Sequence, residues 1–527
     1  MLIPLLLALQ AQSPLAVRPD TLQTRHDALH YDISIQLPDS GSGFAAQVVT
    51  NWRLTSALPL RVELDSGFRT TASLTDGVLW KFAREAGGIT IPTESKAGDT
   101  LSSIVLYSGS PRDGLVLGQN AYGDRTIFAD NWPDRAHHWL ASQDHPSDKA
   151  TAEFHVRVSM GLQVIANGVL LRVDSFPPSH RAIWTYRIAE PIPVYTMGIA
   201  VGKFATTRLP NAACAIKCVP MAVVTYPQDS AFAIDGPFKR AGEIVDFFSR
   251  TVGPFPYERL SHVESTTIFG GMENSTAIFY DEKNYEKRTL GEATVAHETA
   301  HQWFGDAVTE RDWHHLWLSE GFASYFAVLW AEHVGGVSAR AAGMQQYAET
   351  VFVSLVTERP IIDPAATDLM KFLNTNNYPK GAWTLHSLRG LVGDSAFFNG
   401  IREYYRKYRD STALSSDLAK VMSAAAGRDL DWYFLQALTQ PGYPVLDVKW
   451  SYDKRRLTVD ITQTQKDAWG TYRLPGLVLM VDGKPMPVNI DGRSTHVVFK
   501  NVPVTPASIV VDPDGWWLLR WSVSRTP

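Results

Sequence analysis

His297-Glu298-Thr299-Ala300-His301 sets two imidazoles four residues apart with a carboxylate between them. On a helix, positions i and i+4 share one face, so both rings can reach one ion. Glu298 is one residue past His297 and out of line with the two histidines. It can stand beside the ion and take a proton from a water there. A zinc site with two histidines that is to hydrolyse something needs a third ligand, a carboxylate from a neighbouring element. Glu320 supplies one in Trp317-Leu318-Ser319-Glu320-Gly321-Phe322-Ala323, where the next helical pattern opens. The 18 residues between His301 and Glu320 allow a short loop and an antiparallel return. Ligands His297, His301 and Glu320 leave the fourth position open, which separates a catalytic site from a structural one.

These segments resemble the gluzincin aminopeptidases of the aminopeptidase N and leukotriene-hydrolase type. The resemblance rests on His297 to Asp306 (HETAHQWFGD), Trp317 to Tyr325 (WLSEGFASY) and Gly270-Gly271-Met272-Glu273-Asn274. The last run matches the family's exopeptidase motif, which more commonly begins Gly-Ala. Its physical reading is an anchor for a free α-ammonium. Glu273 offers an ion pair and an acceptor one residue's length from the metal, which an uncharged mid-chain amide cannot satisfy. Gly270 and Gly271 suit a strand edge that a substrate backbone approaches closely. The family's active-site tyrosine motif is matched by Tyr378-Pro379-Lys380-Gly381, with Pro379 in place of Glu. Pro is tolerated in the first turn of a helix, so the resemblance puts Tyr378 just before one, aimed at the developing oxyanion. Ser319 replaces the family's usual Asn, and Ala327 stands where a Glu is common, so partners behind the ligands are unassigned. The family's N-terminal domain lends a residue to the substrate amine, and Asp130 and Asn131 lie in the matching region. Asp144 to Ala150 resembles an architectural stretch of the family. Adjacent His314 and His315 point apart and read as surface residues.

The elements that must position these side chains change period along the chain. From about 28 to 205 the pattern alternates, as in Tyr31, Ile33, Ile35, Leu37 and in Phe154, Val156, Val158. That predicts half-buried strands. Helical spacing takes over near 235. Asp235-Gly236-Pro237 opens a helix carrying Ile244, Val245, Phe248 and Val252. Thr289 and Glu292 form a capping box ahead of His297. Alternation returns after Gln440-Pro441-Gly442, with a hairpin turning at Asp453-Lys454-Arg455-Arg456. The expected architecture is multidomain α+β. Residues 20–209 form an N-terminal all-β, saddle-like domain, 210–440 a thermolysin-like, mainly α zinc domain, and 441–527 a C-terminal β-sandwich. The resemblance further implies a short member lacking the family's C-terminal helical domain.

Composition limits the alternatives. The chain has 527 residues, 45% apolar and 20% charged, so it is neither disordered nor a multi-span membrane protein. With 49 basic against 54 acidic residues and no basic run, nucleic acid is a poor partner. Cys214 and Cys218 are the only cysteines, too few for a zinc site built from four cysteines, and are either free or locally paired. Residues 1–19 read as a leader. Leu2 to Leu9 is almost wholly apolar, too short to span a bilayer, and a cut after Ala11 fits, although no Lys or Arg precedes the run. The expectation is an exported, periplasmic or secreted protein, with a cytoplasmic one as the alternative. The expected function is a zinc metallo-aminopeptidase with one Zn2+. Peptides with a free N-terminus are its substrates and Glu298 is its general base. An endopeptidase, an epoxide hydrolase and a non-catalytic peptide-binding protein on the same scaffold are the alternatives.

Overall fold

The computed structural model describes residues 15, 26–74, 82–85 and 87–526. The apolar run Leu2 to Leu9 and its cleavage site lie outside the described residues. The alternating segments do form strands. A seven-stranded sheet runs in the order Val169–Phe176, Arg181–Pro193, Lys149–Ser159, His26–Gln36, Phe44–Leu54, Thr100–Gly109, Arg69–Leu74. Ile33 sits opposite Val48 on one side and Phe154 on the other, and all three are buried. The period of two thus becomes a continuous apolar face. A four-stranded sheet, with Arg125–Ala129 next to Ile199–Gly202, brings the chain at Trp132 up to the cleft.

The zinc motif belongs to a second unit built on a five-stranded sheet. Its order is Ala205–Ala212, Val219–Thr225, Leu260–Ser265, Ala277–Asp281, Gly271–Met272. Gly271–Met272 is the edge strand, antiparallel to Ala277–Asp281. Helices pack against this sheet. The helix Glu292–His301 carries both histidines, and Trp317–Val353 carries Glu320. Every residue from Trp317 to Trp330 is buried, so this stretch is a core helix walled on all sides, not an amphipathic surface one. Gly336, at φ 74°, breaks it into two segments, a conformation that favours glycine.

Residues 445–525 form two further sheets around a separate apolar cluster that includes Leu446, Val459 and Leu479. The hairpin Val445–Asp453 and Arg456–Gln463 turns on Lys454 and Arg455, both at positive φ. That is the twist-matched two-residue turn of a hairpin. Among the described residues no helix is long and apolar enough to cross a membrane.

Three local expectations fail. The helix expected from Asp235-Gly236-Pro237 begins at Ala241, while Ser230–Asp235 is a short helix that ends at Gly236. The capping box is not formed. Gly291 is the N-cap, and the Glu292 carboxylate is taken by Arg240 at 2.6 and 2.8 Å and by Trp330 Nε1 at 2.7 Å. A bidentate guanidinium outcompetes a backbone N–H for that carboxylate. His315 is fully buried, not a surface residue, with Nδ1 2.8 Å from Ser415 Oγ.

Candidate active site

The helix Glu292–His301 and the start of Trp317–Val353 bring three donor atoms to one point. His297 Nε2 and His301 Nε2 stand 3.1 Å apart, and Glu320 Oε2 is 3.3 Å from each. Three ligands bonded to one zinc at tetrahedral angles stand roughly 3.3–3.4 Å apart. The chemistry of the atoms agrees. His301 Nδ1 lies 3.2 Å from the Phe304 carbonyl, which can only accept, so Nδ1 carries the proton and Nε2 presents a lone pair. Glu320 Oε2 is buried and accepts no ordinary hydrogen bond. Two imidazole nitrogens and a carboxylate oxygen this close fit a Zn2+ ion.

A ligand histidine is normally oriented through its other ring nitrogen. Besides the Phe304 carbonyl, Ser319 Oγ lies 3.1 Å from His301 Nδ1. So Ser319, the residue that departs from the family's usual Asn, is the side chain behind the ligand.

Glu298 lies on the cleft side of its helix. Burial, and then the charges of Glu273 and Glu320, push its carboxyl well above the usual range against the pull of His301. Glu273, Glu298 and His301 offer donor atoms all within 4.8 Å of one another. Gly271 faces Glu298, and a Cβ there would run into the carboxylate. The glycine therefore leaves room for Glu298, a different reason from the substrate approach expected at this strand edge.

Glu273 is held from below. Gln302, on the turn after His301, donates from Nε2 to the Glu273 carbonyl at 3.0 Å and accepts from Thr276 N–H at 2.8 Å. Tyr378 lies in a wide helical turn, Asn376–Lys380, ahead of the helix Gly381–Val392. Pro379 is inside that turn, not at the first position of the helix. The Tyr378 ring is parallel to the His297 imidazole, 5.9 Å away at 5°. Burial and then Glu320 keep its phenol protonated, and so a donor.

These side chains line one pocket of about 560 Å³. Gly270, Gly271, Met272 and Glu273 form its edge, and Trp132, Phe269 and Leu373 add apolar walls. Asn274 does not line it. It packs against Gly198 underneath. Asp130 and Asn131 do not line it either. Asp130 pairs with Arg135 at 2.7 Å. Asn131 Nδ2 donates to the Val194 and Met197 carbonyls, and its Oδ1 accepts from Trp139 Nε1. Their neighbour Trp132 is the residue the N-terminal β unit sends into the cleft. Lys149, in the stretch read as architectural, donates to the carbonyls of Asp306 and Ala307 at 2.7 and 2.8 Å. It ties that unit to the loop after the zinc helix.

A buried two-His-one-Glu centre with an adjacent carboxylate, on a helical unit flanked by β units, has the ligand set of a mononuclear zinc centre. Residues 238–436 match the model of the peptidase family M1 domain. The chain is similar to the leucyl aminopeptidase of Saccharolobus solfataricus, 27% identical over 427 residues, covering 75% of this chain and 50% of that protein. It is also similar to aminopeptidase N of Streptomyces lividans, 26% identical over 427 residues, with 71% and 47% covered. Among solved structures it resembles the M1 zinc metallopeptidase of Deinococcus radiodurans. That match is 25% identical at a TM-score of 0.71 and covers 80% of this chain and 95% of the other. The chain spans about half the length of the curated relatives it matches.

Proposed function

We propose that this protein is a zinc metallo-aminopeptidase that releases one residue at a time from peptides with a free N-terminus. The observation that carries the reading is the Glu273 carboxylate, within 4.8 Å of the Glu298 and His301 donor atoms. A buried acceptor at that distance selects a charged amine next to the scissile bond, because an amide nitrogen leaves the carboxylate uncompensated.

His297, His301 and Glu320 would hold the ion. When bound, Zn2+ supplies Lewis acidity toward the scissile carbonyl and toward a water at the same centre. Glu298, its carboxyl raised by burial, accepts the proton of the attacking water and returns it to the leaving amine. Tyr378, kept neutral, donates to the oxyanion as it forms. Glu273 fixes the N-terminus, so the register of cleavage is set by one residue. Trp132, Phe269, Met272 and Leu373 line the pocket and suit an apolar or aromatic first side chain.

The same reading extends to export. The leader-like residues 1–19 support it, and so does the bond between Cys214 and Cys218, since disulfides persist in oxidising compartments. Cell fractionation decides between export and the cytoplasmic alternative.

The deciding assay compares aminoacyl-coumarin substrates with their N-acetylated forms, with and without a chelator. Cleavage is expected only of the free amines, fastest for Leu, Met or Phe, and abolished by chelation. Equal turnover of the acetylated substrates would make the protein an endopeptidase on the same scaffold.

A further inference from the structure

Lys380 is buried, at 5% exposure, and among the described residues its ammonium reaches one acceptor, the Gln440 carbonyl at 3.5 Å, the outer limit for a hydrogen bond. An ammonium has three donors to place. Burial alone pulls it down to about 7, with no acidic residue acting on it. One turn on, Trp383 is also buried, and its Nε1–H has no acceptor among the described residues. Both side chains line a pocket of about 460 Å³. It lies where the helices Gly381–Val392 and Asp431–Thr439 meet the C-terminal β unit. It shares no lining residue with the catalytic pocket.

Tyr433, Tyr443, Tyr472 and Trp517 give the lining an aromatic part, and the three tyrosine hydroxyls are already committed. Tyr433 donates to the Thr384 carbonyl, Tyr443 to that of Phe352 and Tyr472 to that of Pro441. Trp517 adds another apolar face. Among the described residues two donors on this lining lack a full set of acceptors, the Lys380 amine and Trp383 Nε1, three residues apart in the chain. Buried donors without acceptors are rare because they are costly, and a charged one most of all. The complement is a group with two acceptor oxygens and a negative charge, carried on a flat apolar body.

We infer that this pocket between the catalytic unit and the C-terminal β unit is a binding site for a small aromatic carboxylate, whose oxygens accept from Lys380 Nζ and Trp383 Nε1. The inference is independent of the peptidase reading, because none of its residues acts on the scissile bond.

The test titrates the zinc-loaded full-length protein with phenylacetate and with neutral phenylacetamide, by calorimetry. Phenylacetate is expected to bind saturably, at least tenfold tighter than the amide. Lys380→Met should weaken it at least tenfold while keeping a melting temperature at or above that of the parent. Ala437→Phe fills the pocket without touching Lys380 and should abolish the same binding, which keeps the test decisive if the lysine variant does not fold. Three results overturn the inference: no saturable binding, equal binding of the amide, or binding that survives both substitutions. The last would place the carboxylate at the catalytic ion.

Discussion

Gln302 Nε2 donates to the Glu273 carbonyl at 3.0 Å, so the helix that carries the zinc motif also holds the loop that carries the amine anchor. The same side chain bonds Thr276 N–H and Asp306 Oδ2. The proposed metal ligands and the proposed amine anchor are therefore tied together through one side chain. Gln302→Leu leaves two buried backbone groups unpaired, at about 1–3 kcal/mol, equivalent to roughly a 5- to 150-fold effect. The expected result is a higher KM for free-amine substrates and a smaller preference over acetylated ones, with zinc content unchanged. An unaltered preference would show that Glu273 needs no such support.

Gly271→Ala tests the contact between the edge strand and the general base. The added methyl meets the Glu298 carboxylate and must displace it. Displacing a reacting group by an ångström costs about a hundredfold in rate. A fall of that size in kcat is expected, with KM and bound zinc near parent values. Full activity would mean that Glu298 does not act from where it lies.

Tyr378→Phe removes one hydroxyl from the cleft and leaves the ring stacked on His297. Loss of a single oxyanion donor lowers kcat by about 10²–10³-fold. KM should barely move, because the hydroxyl acts on charge that develops only in the transition state. If KM rises and kcat holds, Tyr378 binds substrate instead.

How far the sequence announces this site follows from what each part depends on. His297, His301 and Glu320 are legible because a helix has one fixed period and one loop joins the two elements. Glu273 and Tyr378 are legible through motif resemblance. The cleft walls are not. Trp132, Phe269 and Leu373 come from separate segments, and only tertiary docking sets them side by side. Asp130 and Asn131 look like cleft residues for the same reason, but Arg135 and Trp139 claim them locally. Glu292 misleads because its partner Arg240 lies 52 residues upstream. His315 misleads because a buried histidine bonded to Ser415 has no signature in its neighbours. Local capping, turns and alternation can be read along a chain, whereas competition from distant partners cannot.

Ser319→Ala removes the hydroxyl 3.1 Å from His301 Nδ1 and leaves the Phe304 carbonyl as the remaining acceptor. Removing a partner behind a ligand costs about 10–100-fold in metal affinity or activity. Because one acceptor persists, the expected loss in zinc affinity is near tenfold, read by competition with a chromophoric chelator. An affinity equal to the parent's would assign the orientation of His301 to the Phe304 carbonyl alone.

Glu264 offers a test of stability away from the metal. It is buried in the strand Leu260–Ser265, and its Oε2 accepts from Tyr226 N–H at 2.8 Å. Burial, with the nearby Asp229 carboxylate adding to it, raises its carboxyl to about 9 against that hydrogen bond. Unfolded, it titrates near the ordinary 4.5. The folded state therefore holds a proton that the unfolded chain has released. Its contribution to stability is complete below about pH 4.5, shrinks as pH rises, and is gone above about 9. Within that window the slope approaches a loss of about 1.4 kcal/mol per pH unit. Glu264→Gln keeps the shape of the neutral acid and cannot ionise. Between pH 6 and 9 the parent's melting temperature should fall relative to the variant's, with the two curves converging toward pH 5. Parallel curves across that range would mean that Glu264 is already ionised in the folded protein.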